Sequence, residues 1–377
     1  MKTATSIFED EYMKRKLLIL LSILLLVPCI TSKAQEISLK SGTKVNGTYA
    51  GAGEEDYNYY MIKSSSSDFI AVSVKTSDGA NLLFDICDEN KQVIASEISV
   101  PNKGTVYHKA SKGKTYFLRV KGTEGVTYTL SYTMKKIDQM KYAKKYNFIF
   151  TNASFVNEDN AVLFKIKVNY SGIVQLMFDT DNELNVRFFD KNKKTPLSEA
   201  FTVNDHAFSG IGAKAGKTIY VKLWNAAGTN VGVTTIKSAK YQIKSITAEN
   251  GGTRAKARRL TKGKYATTLV LAGKATTSWY RVNVSKKQRV SFTVESRMLQ
   301  NNGAGLQLYI CNSKGKKLNT APIIVDGETT VIYKKKYKME YPVKTFGTTA
   351  QFPKGTYYLK VVSKTKTSSG AYRIKWE

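Results

Sequence analysis

One β pattern is written three times along residues 36–377, and a chain built this way is committed to strand-based modules set in tandem. Its first anchor is a short apolar strand followed by a polar turn. Leu82-Leu83-Phe84-Asp85-Ile86-Cys87 runs into Asp88-Glu89-Asn90-Lys91, Leu184–Phe189 into Asp190-Lys191-Asn192-Lys193, and Leu306–Cys311 into Asn312-Ser313-Lys314-Gly315. The Asp/Asn/Gly/Lys clusters are turn chemistry. A second anchor places Gly at a turn before an aromatic and β-branched run: Gly113 before Thr115–Val120, Gly216 before Thr218–Leu223, Gly355 before Thr356–Val361. Each copy closes on one more strand, at Tyr128–Tyr132, Tyr241–Ile246 and Tyr372–Trp376. An upstream strand pair also recurs, as Tyr60–Lys63 with Phe69–Val74, Phe164–Val168 with Ile173–Phe178, and Tyr280–Val284 with Val290–Val294. No long segment holds a 3.6-residue period, and the best helix candidate, Ile137–Tyr146, reads as a connector. The expected fold is all-β: three tandem antiparallel β-sandwich, jelly-roll-like modules over 36–134, 137–248 and 253–377.

The third copy is longer. Asn312 to Gly355 is 43 residues, against 26 from Asp190 to Gly216. Inside this insertion, from Val331 to Tyr341 the odd positions read Val331, Tyr333, Lys335, Tyr337, Met339 and Tyr341, and the even ones Ile332, Lys334, Lys336, Lys338 and Glu340. Period two gives a strand or hairpin with one face mostly aromatic and apolar and the other mostly lysine.

The pattern resembles the bacterial pre-peptidase C-terminal domain, a β-sandwich found beside secreted proteases. The residues that carry the resemblance are Thr253-Arg-Ala-Lys-Ala-Arg-Arg-Leu260, Lys262-Gly263, Trp279–Val284 and Gly355–Val361. The family usually sets an acidic residue before the aromatic strand. Glu54-Glu55-Asp56 and Glu158-Asp159 keep it in copies one and two, whereas copy three has Thr276-Thr277-Ser278. The resemblance implies an accessory or binding role without catalysis, and no cation site in the third module.

At the N-terminus, Lys14-Arg15-Lys16 precedes the apolar run Leu17–Pro28, and Ser32-Lys33-Ala34 offers small residues at −3 and −1 of a cut before Gln35. That is the layout of a secretory signal peptide over residues 1–34, with translation starting at Met1 or Met13. The run is shorter than the ~20 residues a spanning helix needs, so no transmembrane anchor is expected. The expected location is extracellular, associated with the cell wall. Beyond the leader only Cys87 and Cys311 remain, at matching places in copies one and three, and they read as free, partly buried thiols.

Chemistry-bearing motifs are scarce. His108 and His206 stand in polar, loop-like stretches and read as solvated loop residues, and no metalloprotease, nucleophile-elbow or phosphate-loop motif occurs. Asp179, Asp181 and Glu183 alternate as calcium ligands would, but without the glycine and distal glutamate of a calcium loop they read as a solvated turn. No catalytic residues, no metal site and no cofactor are expected.

Charge is the informative outlier. The chain carries 59 basic against 29 acidic residues, and the excess is graded: 0 net over 35–134, +7 over 135–252 and +21 over 253–377. An even solubility requirement would spread the charge, so the gradient points to an electrostatic task for the third module. The expected polyanion-binding residues are Arg254, Arg258, Arg259, Lys334, Lys336 and Lys338. For an exported protein the fitting partner is an anionic wall polymer or acidic glycan; no nucleic-acid fold motif accompanies the lysines and tyrosines. The rival readings are an accessory or spacer for a separately encoded secreted protease, and a hydrolase with His108 or His206 beside a carboxylate and a serine.

Overall fold

The computed structural model describes residues 36–49, 57–77, 79–121, 125–204, 207–246, 252–298, 305–326, 330–332, 338–340 and 343–377; the leader-like segment, His206, Lys334 and Lys336 lie outside these residues. Among the described residues there is no α-helix, and none is long and apolar enough to cross a membrane.

The first module comprises β1 (Glu36–Ser38), β2 (Val45–Thr48), β3 (Asn58–Lys63), β4 (Phe69–Thr76), β5 (Leu82–Cys87), β6 (Val93–Val100), β7 (Lys103–Lys109), β8 (Thr115–Lys121) and β9 (Thr127–Lys135). A five-stranded sheet in the order β1-β3-β8-β5-β6 packs on β7-β4-β9-β2. The alternation drives this packing: β4 buries Ile70, Val72 and Val74 and exposes Ser73 and Lys75.

The second module contains β10 (Tyr146–Thr151), β11 (Val162–Lys167), β12 (Gly172–Thr180), β13 (Leu184–Phe189), β14 (Phe201–Val203), β15 (Ala207–Ala213), β16 (Thr218–Asn225) and β17 (Val233–Ser245). Here β11-β16-β13-β14 faces β15-β12-β17-β10. The third module is built from β18 (Arg258–Arg259), β19 (Ala266–Val270), β20 (Thr277–Val284), β21 (Ser291–Ser296), β22 (Gly305–Cys311), β23 (Ile323–Asp326), β24 (Thr330–Ile332), β25 (Lys338–Glu340), β26 (Val343–Gly347), β27 (Gly355–Ser363) and β28 (Gly370–Trp376). Its sheets are β18-β20-β27-β22-β23 and β19-β28-β21-β26, while among the described residues β24 and β25 pair only with each other, Val331 opposite Met339. The described ends of the alternating insertion thus form a strand pair detached from both sheets.

The first two modules are not beads on a string. β7 and β10 pair in parallel through Ile149–Val106 and Phe150–Tyr107, fusing two four-stranded sheets into one of eight: β15-β12-β17-β10-β7-β4-β9-β2. Alternate residues of β10 serve different cores. Phe148 and Phe150 pack in the second, and Ile149 against the first. Tyr107 likewise packs on the second core, while its neighbour Val106 belongs to the first. Successive side chains leave a strand on opposite faces, so the two cores lie on opposite sides of the shared sheet at this seam.

His108 sits at the same seam, and here the expectation of a solvated loop residue fails. It is 4% exposed in β7, with Nδ1 2.9 Å from Thr151 Oγ1, which is 2.6 Å from Ser154 Oγ. Ser154 Oγ also accepts the Lys109 N–H, so the hydroxyls of the turn after β10 complete the hydrogen bonding of β7. The connector 137–145 bridges at Gln139 to Lys165 and then turns at Tyr142–Ala143, with Ala143 at φ 56.

The third module docks on the second. Ile173 and Ile246 pack with Leu269 and Ala371, and Ala272 N–H donates to Gly212 O at 2.9 Å. Glycine is obligatory there, because a β-carbon on Gly212 would stand 1.9 Å from Val270 O.

Candidate functional site: an aromatic and cationic sheet face

The outer face of the third module's five-stranded sheet is set by the register of four strands. β20 alternates buried Ser278, Tyr280 and Val282 with outward Trp279 and Arg281. Trp279 lies opposite Lys360 of β27, which lies opposite Tyr309 of β22. The next row runs Arg259 of β18, Arg281, Tyr358 and Cys311. Two cross-strand rows therefore bring together three aromatic rings and three cations from segments far apart in sequence.

More cations converge on the rings. Lys360 Nζ stands 5.6 Å from the Trp279 ring centroid, Lys317 Nζ 3.7 Å from that of Tyr309, and the Arg254 guanidinium 5.9 Å from that of Tyr358. Trp279 and Tyr358 meet edge to face at 6.2 Å. A ring face attracts cations, so the rings hold the lysines over the sheet without neutralising them.

The sister modules neutralise the equivalent position. Arg119 of β8, the counterpart of Lys360, lies opposite Asp85, and Asp85 pairs with both Arg119 and Lys121 at 2.5 Å. Burial raises the pKa of this fully buried carboxyl, but hydrogen bonds from Lys121 and Arg119 outweigh that and hold it below the ordinary value. In the second module Lys222 takes the place, and Glu158 pairs with it at 3.7 Å and with Arg187 at 3.2 Å. In the third, Tyr309 occupies the place of Asp85, and Lys360 has no ion-pair partner among the described residues. β18, β20, β22 and β27 contain no carboxylate. Glu295, on the other sheet, is committed to Arg297 and Arg373.

The residues expected to bind a polyanion divide on this face. Arg254 borders it, donating to Ser313 O at 3.2 Å, and exposed Arg259 lies on it. Arg258 points the other way, its guanidinium donating to Thr267 O at 2.9 Å, a structural bond between the sheets. Lys338 belongs to the detached strand pair, and Lys334 and Lys336 fall outside the described residues. Trp279, Tyr309, Tyr358, Arg281, Lys317 and Lys360 were not singled out from sequence. Their outward parity in each strand was readable, but the strand order that makes them neighbours was not.

The other candidates take structural positions. Asp181 Oδ1 accepts the Thr235 N–H, and among the described residues no three His, Cys, Asp or Glu side chains cluster as metal ligands. Cys87 and Cys311 are free and wholly buried rather than partly so, and burial pushes the Cys87 thiol up to about 11. Around His108 the oxygens within reach are the hydroxyls of Thr151 and Ser154, not a carboxylate.

No family model and no curated protein matches the chain. Among solved structures, the pre-peptidase C-terminal domain of collagenase from Bacillus anthracis matches at 15% identity, covering 35% of this chain and 100% of that one, with a TM-score of 0.22. The N-terminal CBM22 tandem domain from Paenibacillus barcinonensis matches at 9% identity over 62% of this chain and 89% of that one, with a TM-score of 0.20. Tripeptidyl peptidase 2 matches at 9% identity with a TM-score of 0.24, and this chain spans only 32% of its length. The resemblance to the pre-peptidase C-terminal domain therefore stands as a weak likeness of fold.

Proposed function

We propose that this chain is a secreted, non-catalytic binding protein of the bacterial cell surface that holds an anionic polymer, a wall polymer or acidic glycan, through its C-terminal module. One observation carries the reading. Where its sister modules place Asp85 and Glu158 against the equivalent cation, the third module places Trp279 and Tyr309 around an unneutralised Lys360. Rings offer flat apolar faces for sugar rings, and the bordering Lys317, Arg254, Arg259 and Arg281 offer point charges for carboxylate, sulfate or phosphate along a chain. The leader-like N-terminus and the net +21 of residues 253–377 support an exported polyanion binder.

The test is binding of the full mature chain to purified wall fractions and acidic glycans across a salt series. Affinity should fall steeply with added salt, as the Debye length shrinks below about 10 Å near 0.1 M. Trp279→Ala and Lys360→Gln should each weaken binding roughly tenfold, the equivalent of about 1.4 kcal/mol. Retention of parental affinity by both variants would remove the platform from the mechanism.

A further inference from the structure

Below the two-residue pairing that joins β7 to β10, the strands part, and a cleft of about 940 Å³ opens at the junction of modules one and two. Its lining includes Lys44, Lys75, Lys103 and Lys237, with no carboxylate. Between the lysines the sheet is paved with short polar side chains. Asn46, Thr129, Lys75 and Lys103 form one cross-strand row over β2, β9, β4 and β7, and Ser131, Ser73 and Thr105 form the next. These side chains already bond one another: the Ser73 and Thr105 hydroxyls lie 2.9 Å apart, and the Thr129 hydroxyl donates to Asn46 Oδ1 at 2.8 Å.

The two lysines at the centre are the telling feature. Lys75 and Lys103 are directly opposite across β4 and β7, both exposed, and neither forms an ion pair among the described residues. Like charges facing each other across strands destabilise a sheet, whereas an anion between them would turn the repulsion into attraction. The module that carries this pair has net charge 0 over residues 35–134, yet the cleft lining holds Lys44, Lys75 and Lys103 of that module with none of its carboxylates.

We propose that this cleft is a second binding site, separate from the sheet face of module three, for a linear acidic glycan. The hydroxyl and amide rows match sugar hydroxyls, and the lysines match carboxylate or sulfate groups along the chain. A nucleic acid fits less well, because the lining aromatics Tyr107 and Phe148 are packed against the second core and offer no ring faces for bases.

The test uses the full mature chain and calorimetric titration at low salt with an oligogalacturonate, a sulfated oligosaccharide of similar length, and oligo-dT of similar charge. The cleft variant is Lys75→Gln/Lys103→Gln/Lys237→Gln, all exposed positions, and the platform variant is Trp279→Ala/Lys360→Gln. The parent should bind two acidic oligosaccharides per chain, and each variant one, with no fall in melting temperature for the cleft variant, whose facing like charges are gone. If the platform variant binds as the parent while the cleft variant loses all binding, the cleft stands and the platform reading fails. A cleft variant with the parent's stoichiometry and affinity overturns the proposal. So does oligo-dT displacing the glycan from the cleft, or a parent that binds neither acidic oligosaccharide.

Discussion

His108 carries no proton at neutral pH because its ring is packed inside the seam, where charging it would strip the ion of water with no carboxylate to compensate. Burial drives its pKa down to about 4 from an ordinary value of 6.5. Above pH 6.5 the ring is neutral folded and unfolded, and it leaves stability unchanged with pH. Between 6.5 and about 4 the unfolded chain takes up a proton that the folded chain refuses, so stability falls as pH falls. At 1.36 kcal/mol per unit the loss amounts to about 3 kcal/mol. Asp85 acts in a lower window: its depressed pKa contributes stability above the ordinary value of 3.8, lost only on further acidification. Denaturant melts from pH 7 to 4 should therefore show this decline in the parent and a flat profile in His108→Gln, whatever the variant's absolute stability. A parental slope in the variant would place the titrating group elsewhere.

Other single residues solve one packing problem in different ways. Tyr60 and Tyr128 share a buried hydroxyl pair at 2.9 Å, and Tyr280 and Tyr372 repeat it in module three. The strand beneath them supplies Gly47 in module one, where a β-carbon would come within 2.6 Å of both hydroxyls. In module three it supplies Thr268, whose hydroxyl joins the pair at 2.6 Å from Tyr280. Module two has Phe164 in place of the first tyrosine, and its Tyr241 donates instead to Lys167 O at 3.3 Å.

At the scale of elements, the strands were legible because short apolar and β-branched runs recur between polar turns. Leu82–Cys87, Leu184–Phe189 and Leu306–Cys311 all fall within strands, each followed by its polar turn. The seam was not read, yet it left a trace. Phe148-Ile149-Phe150 is three apolar residues in a row, as a strand buried on both faces requires, and it lies inside the expected second module, 137–248, past the connector Ile137–Tyr146. The platform was invisible for a different reason: its rows join β20, β22 and β27, and only the order of strands in the sheet makes Trp279, Tyr309 and Lys360 neighbours. The docking of module three depends on one such meeting, the approach of Gly212 to Val270 O. Gly212→Ala should cost about 1–3 kcal/mol by forcing the backbones apart. Calorimetry should then resolve module three as a transition of its own, and a trace identical to the parent's would show that the junction yields without strain.

At the scale of the whole molecule, net charge alone misleads about where anions can be held. Module three holds most of the excess, and residues 35–134 sum to zero. Charge nevertheless segregates by face within module one. Asp85 sits among Arg119 and Lys121 on the five-stranded sheet, while Lys75 and Lys103 stand together on the other. A chain-wide tally averages the two faces away, and only the sandwich separates them.

The fused sheet has a practical corollary for anyone dissecting the chain. A cut after β9 would leave an orderly-looking first sandwich, but it would strip β7 of its β10 neighbour and bare Val106 and Tyr107 along a fresh edge. The same cut would take away Thr151 and Ser154, leaving the buried His108 ring without its oxygens. Such an end is a template for another strand. A fragment of residues 36–135 should self-associate in sedimentation, where residues 36–246, which keep the seam closed, should run as a monomer. Negative binding results from the shorter piece would then report on its sticky border rather than on the cleft beside it.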